Sequence, residues 1–185
     1  MHARSRLDLV DDRFHIPLEI VEGGSGRFMG TIDEPNQAAP AAYVFSRPRR
    51  MLRVDFFSDI RPGYVIRTGL GQEFMVGSHG GSEMRGGTFK SFRLFEVTGT
   101  MQWSRRVPTI NPVTHLPEED LLESLGVVRV VYEPEQREAF DRQFRASFET
   151  AKVLTTQPAL RDDLLDEMKV TRTEPTLGLW MLSLA

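Results

Sequence analysis

The residues with the most chemical promise lie in Gly77-Ser78-His79-Gly80-Gly81-Ser82-Glu83-Met84-Arg85-Gly86-Gly87, where glycines let backbone amides approach a phosphate and His79 stands beside two serines. A phosphate loop needs a Gly-Lys-Ser/Thr ending and a following helix whose N-terminus faces the anion. This loop has neither, since the strand-like run Phe89–Val97 follows it. A Ser–His pair would need a nucleophile elbow or a third group orienting the imidazole, and no Gly-x-Ser-x-Gly stands here. The segment reads as a long hairpin loop. His2, His15, His79 and His115 are scattered without metal-ligand spacing. The acidic cluster Asp162, Asp163, Asp166 and Glu167 lacks the alternation, central glycine and distant glutamate of a calcium loop, and reads as a solvated turn before a strand. No catalytic, cofactor-binding or metal residue is assigned.

Two arginine groups remain, Arg47-Pro48-Arg49-Arg50 and Trp103-Ser104-Arg105-Arg106-Val107-Pro108. Arginine with a rigid proline or an aromatic anchors interfaces when buried and is ordinary surface otherwise. Of the 23 basic residues only Lys90, Lys152 and Lys169 are lysine. Residues 1–112 hold 15 basic and 12 acidic side chains (+3) and residues 113–185 hold 8 and 14 (−6), which together give the net charge of −3. With no long basic run, a dedicated nucleic-acid surface is not expected.

The 185 residues, 40% of them apolar, suffice to bury a core. Without cysteine the chain can make no disulfide, thiolate metal site or thiol nucleophile. No apolar run reaches the roughly 18 residues of a membrane helix, and Met1–Arg6 leads into Leu7-Asp8-Leu9-Val10-Asp11-Asp12 rather than a signal-peptide core, so a cytosolic location without membrane contact is expected.

The elements that would position these groups are mainly β. Short runs at Tyr43–Phe45, Met51–Phe57, Tyr64–Thr68, Gln72–Val76, Phe89–Val97 and Met101–Trp103, set between Gly, Pro, Ser and Asp clusters, predict a small β-barrel or sandwich with long loops. Residues 1–50 read as an N-terminal arm with one strand, Phe14–Ile20, and residues 51–185 as the barrel-like domain. One or two short helices are expected. One is Pro117–Gly126, with an acidic first turn and a terminal glycine; the other runs from Pro134 to about Ala146, followed by a strand after Phe148. Met168–Thr173 and Leu177–Leu184 predict an antiparallel pair turning at Glu174-Pro175-Thr176, with Leu177, Leu179 and Met181 on the face opposite Trp180 and Leu182. A strand this close to the last residue suggests a closing sheet or barrel. Pro62–Val76 has a comparable ribbon layout, but the likeness is too loose to indicate a duplication.

Several of these segments together carry a resemblance. They are Phe92–Val97 leading to Trp103–Arg106, Asn111–Pro117, Leu125–Pro134, Val153–Thr155, Asp163–Leu165 and Leu177–Trp180. Over roughly residues 60–185 the chain resembles head-to-tail connector proteins of tailed bacteriophages, in particular the head-closure, or stopper, class. The resemblance implies a small β-barrel assembled as a homo-oligomeric ring in the virion neck, built in the host cytoplasm. Such a ring joins the portal or adaptor of the capsid to the tail proteins and meets packaged DNA transiently and without sequence preference. On that expectation Phe14, Ile16, Leu18, Phe28, Tyr43, Arg47, Arg49, Arg50, Arg85, Trp103, Arg105 and Arg106 are candidate inter-subunit contacts. Two other readings are a small-molecule-binding barrel or minor enzyme whose Gly77–Gly87 loop gates a pocket holding His79, and a tail-completion or capsid decoration protein.

Overall fold

A computed structural model describes residues 15–33, 50–55, 57–78, 89–116, 120–132 and 151–185. The chain divides between Glu96 and Val97 into two compact units, and each is a closed six-stranded antiparallel barrel. The expectation of a mainly β barrel fold is met. The division does not fall near residue 50, because the segment expected to be an arm supplies two staves of the first barrel.

The first unit comprises β1 (Ile16–Glu22), β2 (Gly26–Asp33), β3 (Arg50–Asp55), β4 (Val65–Thr68), β5 (Glu73–Gly77) and β6 (Phe89–Glu96) in the order β1-β2-β3-β6-β5-β4, closed by β4 on β1. Alternation sends Leu52 and Val54, Phe74 and Val76, and Phe92 and Leu94 inward, where they meet Leu18, Ile60 and Ile66. The β1–β2 turn is tight because Gly23 has φ 88° and lies under the Tyr64 ring, so that a Cβ there would sit 2.6 Å from Tyr64 Cδ1. Gly23→Ala is therefore expected to lower stability by about 2 kcal/mol, through left-handed strain plus displacement of the tyrosine ring, measurable as a drop in the denaturant midpoint. An unchanged midpoint would remove the ring from its assigned place.

The second unit comprises β7 (Gly99–Val107), β8 (Leu121–Tyr132), β9 (Ala151–Thr155), β10 (Leu164–Leu165), β11 (Met168–Thr176) and β12 (Leu179–Leu184), closed as β7-β8-β9-β12-β11-β10. Its core gathers Met101, Val128, Val130, Val153, Leu165, Val170, Leu182 and Leu184, with Trp103 and Trp180 packed against it. Adding six to each strand number of the first barrel gives the second, so the two units share one topology. In both, the crossover from third to fourth strand drops one apolar side chain into the core, Ile60 after β3 and Ala159 after β9. The ribbons compared in the sequence, β4–β5 and β11–β12, are not counterparts; the counterpart of β4–β5 is β10–β11.

The C-terminal pairing forms as predicted, with Thr173 opposite Leu182 and Thr176 opposite Leu179. Its turn, however, is Leu177-Gly178, both at positive φ, and Glu174-Pro175-Thr176 belongs to β11. Two central residues at positive φ match the right-handed twist of flanking strands, which explains why the reversal falls one step later.

Over the described residues 120–126 the predicted Pro117–Gly126 helix is not formed. Leu121–Ser124 pairs in register with Ser104–Val107, making this stretch the start of a twelve-residue strand. Gly126, at φ 110°, is the hinge of a β-bulge rather than a helix cap. Among the described residues there is no helix. The strand Tyr43–Phe45 and the helix from Pro134 lie outside the described residues, while the strand expected after Phe148 is present as β9.

Candidate assembly surface

The β7–β8 hairpin is built in two parts. From Gly99 to Trp103, paired with Gly126–Val130, it is barrel wall. Beyond the bulge at Leu125 and Gly126 it continues as a two-stranded ribbon, Ser104–Val107 against Leu121–Ser124. In the ribbon tip, residues 111–116 are tied together by hydrogen bonds. Asn111 Oδ1 accepts the amides of Val113 at 2.8 Å and Thr114 at 3.0 Å, and the Asn111 carbonyl accepts the amide of His115 at 2.9 Å. That shape turns Ile110, Val113 and Leu116 outward, and Val113 is 85% exposed. Leu121 and Leu122, adjacent on β8 and so on opposite faces, are 63% and 62% exposed.

At its root the arm is clamped. Asp163, whose side chain is 2% exposed, sits before β10 and receives Arg105 Nε at 2.7 Å on Oδ1. Its Oδ2 receives Arg105 Nη2 at 2.9 Å, the Trp103 indole N–H at 3.0 Å and the Leu160 amide at 2.8 Å. A two-pronged guanidinium–carboxylate contact combined with an indole fixes direction as well as distance. Burial alone would raise the Asp163 pKa, yet the bonds from Arg105, the Leu160 amide and Trp103 outweigh it and leave the carboxyl below its ordinary value. The bond to Asp163 raises the Arg105 pKa in turn. Next along β7, the Gln102 amide donates to Asp166 Oδ1 at 2.7 Å and the Gln102 carbonyl accepts the Asp166 amide at 3.0 Å.

These contacts give the acidic cluster its work. Asp163 holds the arm root, Asp166 ties the β10–β11 turn to β7, and Asp162 pairs with Lys169 at 2.6 Å, which lowers the Asp162 pKa. Among the described residues no group of three or more His, Cys, Asp or Glu side chains converges as a metal site would require.

The structure distributes the other candidate contacts widely. Leu18 is 1% exposed in the core of its own barrel, Phe28 packs partly against that core, and Ile16 at the start of β1 is surface-exposed. Arg50 opens β3 with its guanidinium 5.3 Å from the centre of the Phe74 ring, a cation–π contact within the unit. Trp103 and Arg105 face Asp163, and Arg106 is exposed on the arm. Phe14, Tyr43, Arg47, Arg49, Arg85 and His79 lie outside the described residues, as does the Gly77–Gly87 loop beyond Ser78.

Sequence reasoning missed the arm, because acids followed by Leu-Leu-Glu-Ser-Leu-Gly imitate a capped helix. The available signal was Val127–Tyr132, a β-rich run whose strand continues backwards through the bulge at Gly126 as far as Leu121. No family model, curated protein or solved structure matches this chain. Among the described residues no helix is long and apolar enough to cross a membrane.

Proposed function

We propose that the chain is a structural part that assembles with copies of itself, and that its place is the neck of a tailed-phage virion. There it forms a ring that joins the portal or adaptor to the tail and lines or closes the DNA passage. The observation that carries the structural reading is the β7–β8 arm, an ordered ribbon with exposed leucine, isoleucine and valine side chains on a deliberately clamped root. Isolated two-stranded ribbons are marginal in water, and this one exposes large apolar side chains on both faces and at its tip, as a ribbon covered by a partner would. The neck assignment rests on the resemblance, whose segments coincide here with β6, β7, β8, β9, β10 and the β11–β12 turn. Asn111–Pro117, within the same resemblance, includes part of the arm tip.

Electron microscopy of the purified, concentrated protein tests this reading. Annular particles of uniform diameter, with a central opening wide enough for duplex DNA, are the expected result. A population that stays as single two-barrel particles, alone and with capsid and tail fractions, would contradict it.

A further inference from the structure

The two barrels share a topology, so each serves as a control for the other. In the first unit the hairpin corresponding to β7–β8 is β1–β2, closed by residues 23–25. In the second, residues 108–120 and the ribbon strands are added at the same place. A barrel of this topology closes without the addition, so the arm has a use other than closing its own barrel.

Both edges of the ribbon are open among the described residues. β7 meets β10 only at Trp103 and Ser104, so no ladder partner is seen for Arg105–Val107 on that side. β8 meets β9 only at Val131 and Tyr132, which leaves the outer edge of Leu121–Leu125 without a ladder partner there. Open apolar edges of this kind either recruit a strand or aggregate. The two edges differ in charge. The β7 strand carries Arg106, which also acts on Asp162 of its own chain, and Arg105, which is held by Asp163 and stands opposite Glu123; the β8 strand carries Glu123 and, just before it, Asp120. Joining like edges would bring arginine to arginine or acid to acid. Joining unlike edges brings Arg106 to the acids.

Resting on the reading of a self-assembling part, we infer that the occupant of the arm is the arm of a second copy of this chain. The β8 edge of one copy pairs antiparallel with the β7 edge of the next, head to tail, so that arms pointing the same way build a continuous inter-subunit sheet. Because the two edges of each copy differ, the contact is heterologous and repeats from copy to copy, as the subunits of a ring do. Val107, Ile110, Val113, Leu116, Leu121 and Leu122, between 36% and 85% exposed, supply the apolar side chains that the two contacts of each arm would cover.

The absence of cysteine makes a clean test possible. Arg106→Cys and Leu122→Cys are prepared as separate chains and treated with a short bismaleimide, alone and mixed. Head-to-tail edges predict that the mixture yields cross-linked dimer about tenfold above either variant alone. Cross-linking of each variant mainly with itself would overturn the arrangement in favour of a two-fold pair, and no cross-linking at concentrations where the wild type assembles would overturn it outright. Leu121→Lys/Leu122→Lys, both exposed, should keep the wild-type thermal transition while weakening association roughly 100-fold. If that variant assembles like wild type, the arm is not the contact although assembly itself stands. If the wild type never assembles, both readings fall.

Discussion

Removing residues 178–185 is expected to abolish folding of the second unit. The deletion takes away β12, which pairs with β9 from Thr155 to Ala151 and with β11 from Thr176 to Val170, and so opens the barrel on two sides at once. It also removes Leu179, Leu182 and Leu184, each at most 1% exposed. At about 1.5–3 kcal/mol for each fully buried leucine, the apolar loss alone rivals the ~5–15 kcal/mol that holds a domain together. Proteolysis should then digest residues from Val97 onward, and the near-ultraviolet signal of Trp103 should collapse. A truncated chain that keeps the full-length thermal transition would contradict the closure of the barrel by β12.

The second large effect belongs to the clamp. Asp163→Asn keeps the shape of the side chain and an acceptor for the Trp103 indole, but it leaves Arg105 facing a neutral amide. Breaking a buried pair from one side costs about 3–5 kcal/mol, and because the Arg105 side chain is 35% exposed the expected loss is nearer 2–3 kcal/mol. The pH dependence has a definite sign. The folded-state pKa of Asp163 lies below its unfolded value, so its contribution is fully present above the ordinary carboxylate range near pH ~4 and is lost as pH falls through the lower folded value. Acidification should therefore destabilise the wild type more steeply than Asp163→Asn. Equal slopes for the two proteins would remove the carboxylate from this role.

Much of the barrel framework was legible in the sequence because inward and outward residues alternate within each stave. Met51–Phe57, Tyr64–Thr68, Gln72–Val76 and Phe89–Val97 correspond to β3, β4, β5 and β6 with ends shifted by one or two residues. The start of the chain was misread for a local reason. Phe14–Ile20 alternates, but the Gly23-Gly24-Ser25-Gly26 that follows has loop composition, and only the long-range pairing of β1 with β4 and β2 with β3 makes these residues staves. Leu18 was accordingly expected at a neighbour and is instead core.

The clamp was hidden by the same kind of distance. Trp103 and Arg105 look like surface anchors, and Asp163 looks like one acid among four, until closure of β10 on β7 brings them together across about sixty residues of sequence. The shared topology was hidden for a different cause. It resides in strand order, while equivalent positions differ in side chain, as Ile60 against Ala159 shows, and equivalent turns differ in chemistry, with Gly69-Leu70-Gly71 in one unit and Asp166-Glu167 in the other.

The most direct test of the claim that the arm exists for another copy is amide hydrogen exchange, followed from dilute to concentrated protein. Protection of the Leu121–Leu125 and Arg105–Val107 amides should rise with concentration, while the β1–β2 turn at residues 23–25, its counterpart in the first barrel, stays unchanged. Arm amides that exchange equally fast at all concentrations, in samples shown by sedimentation to be assembled, would contradict it.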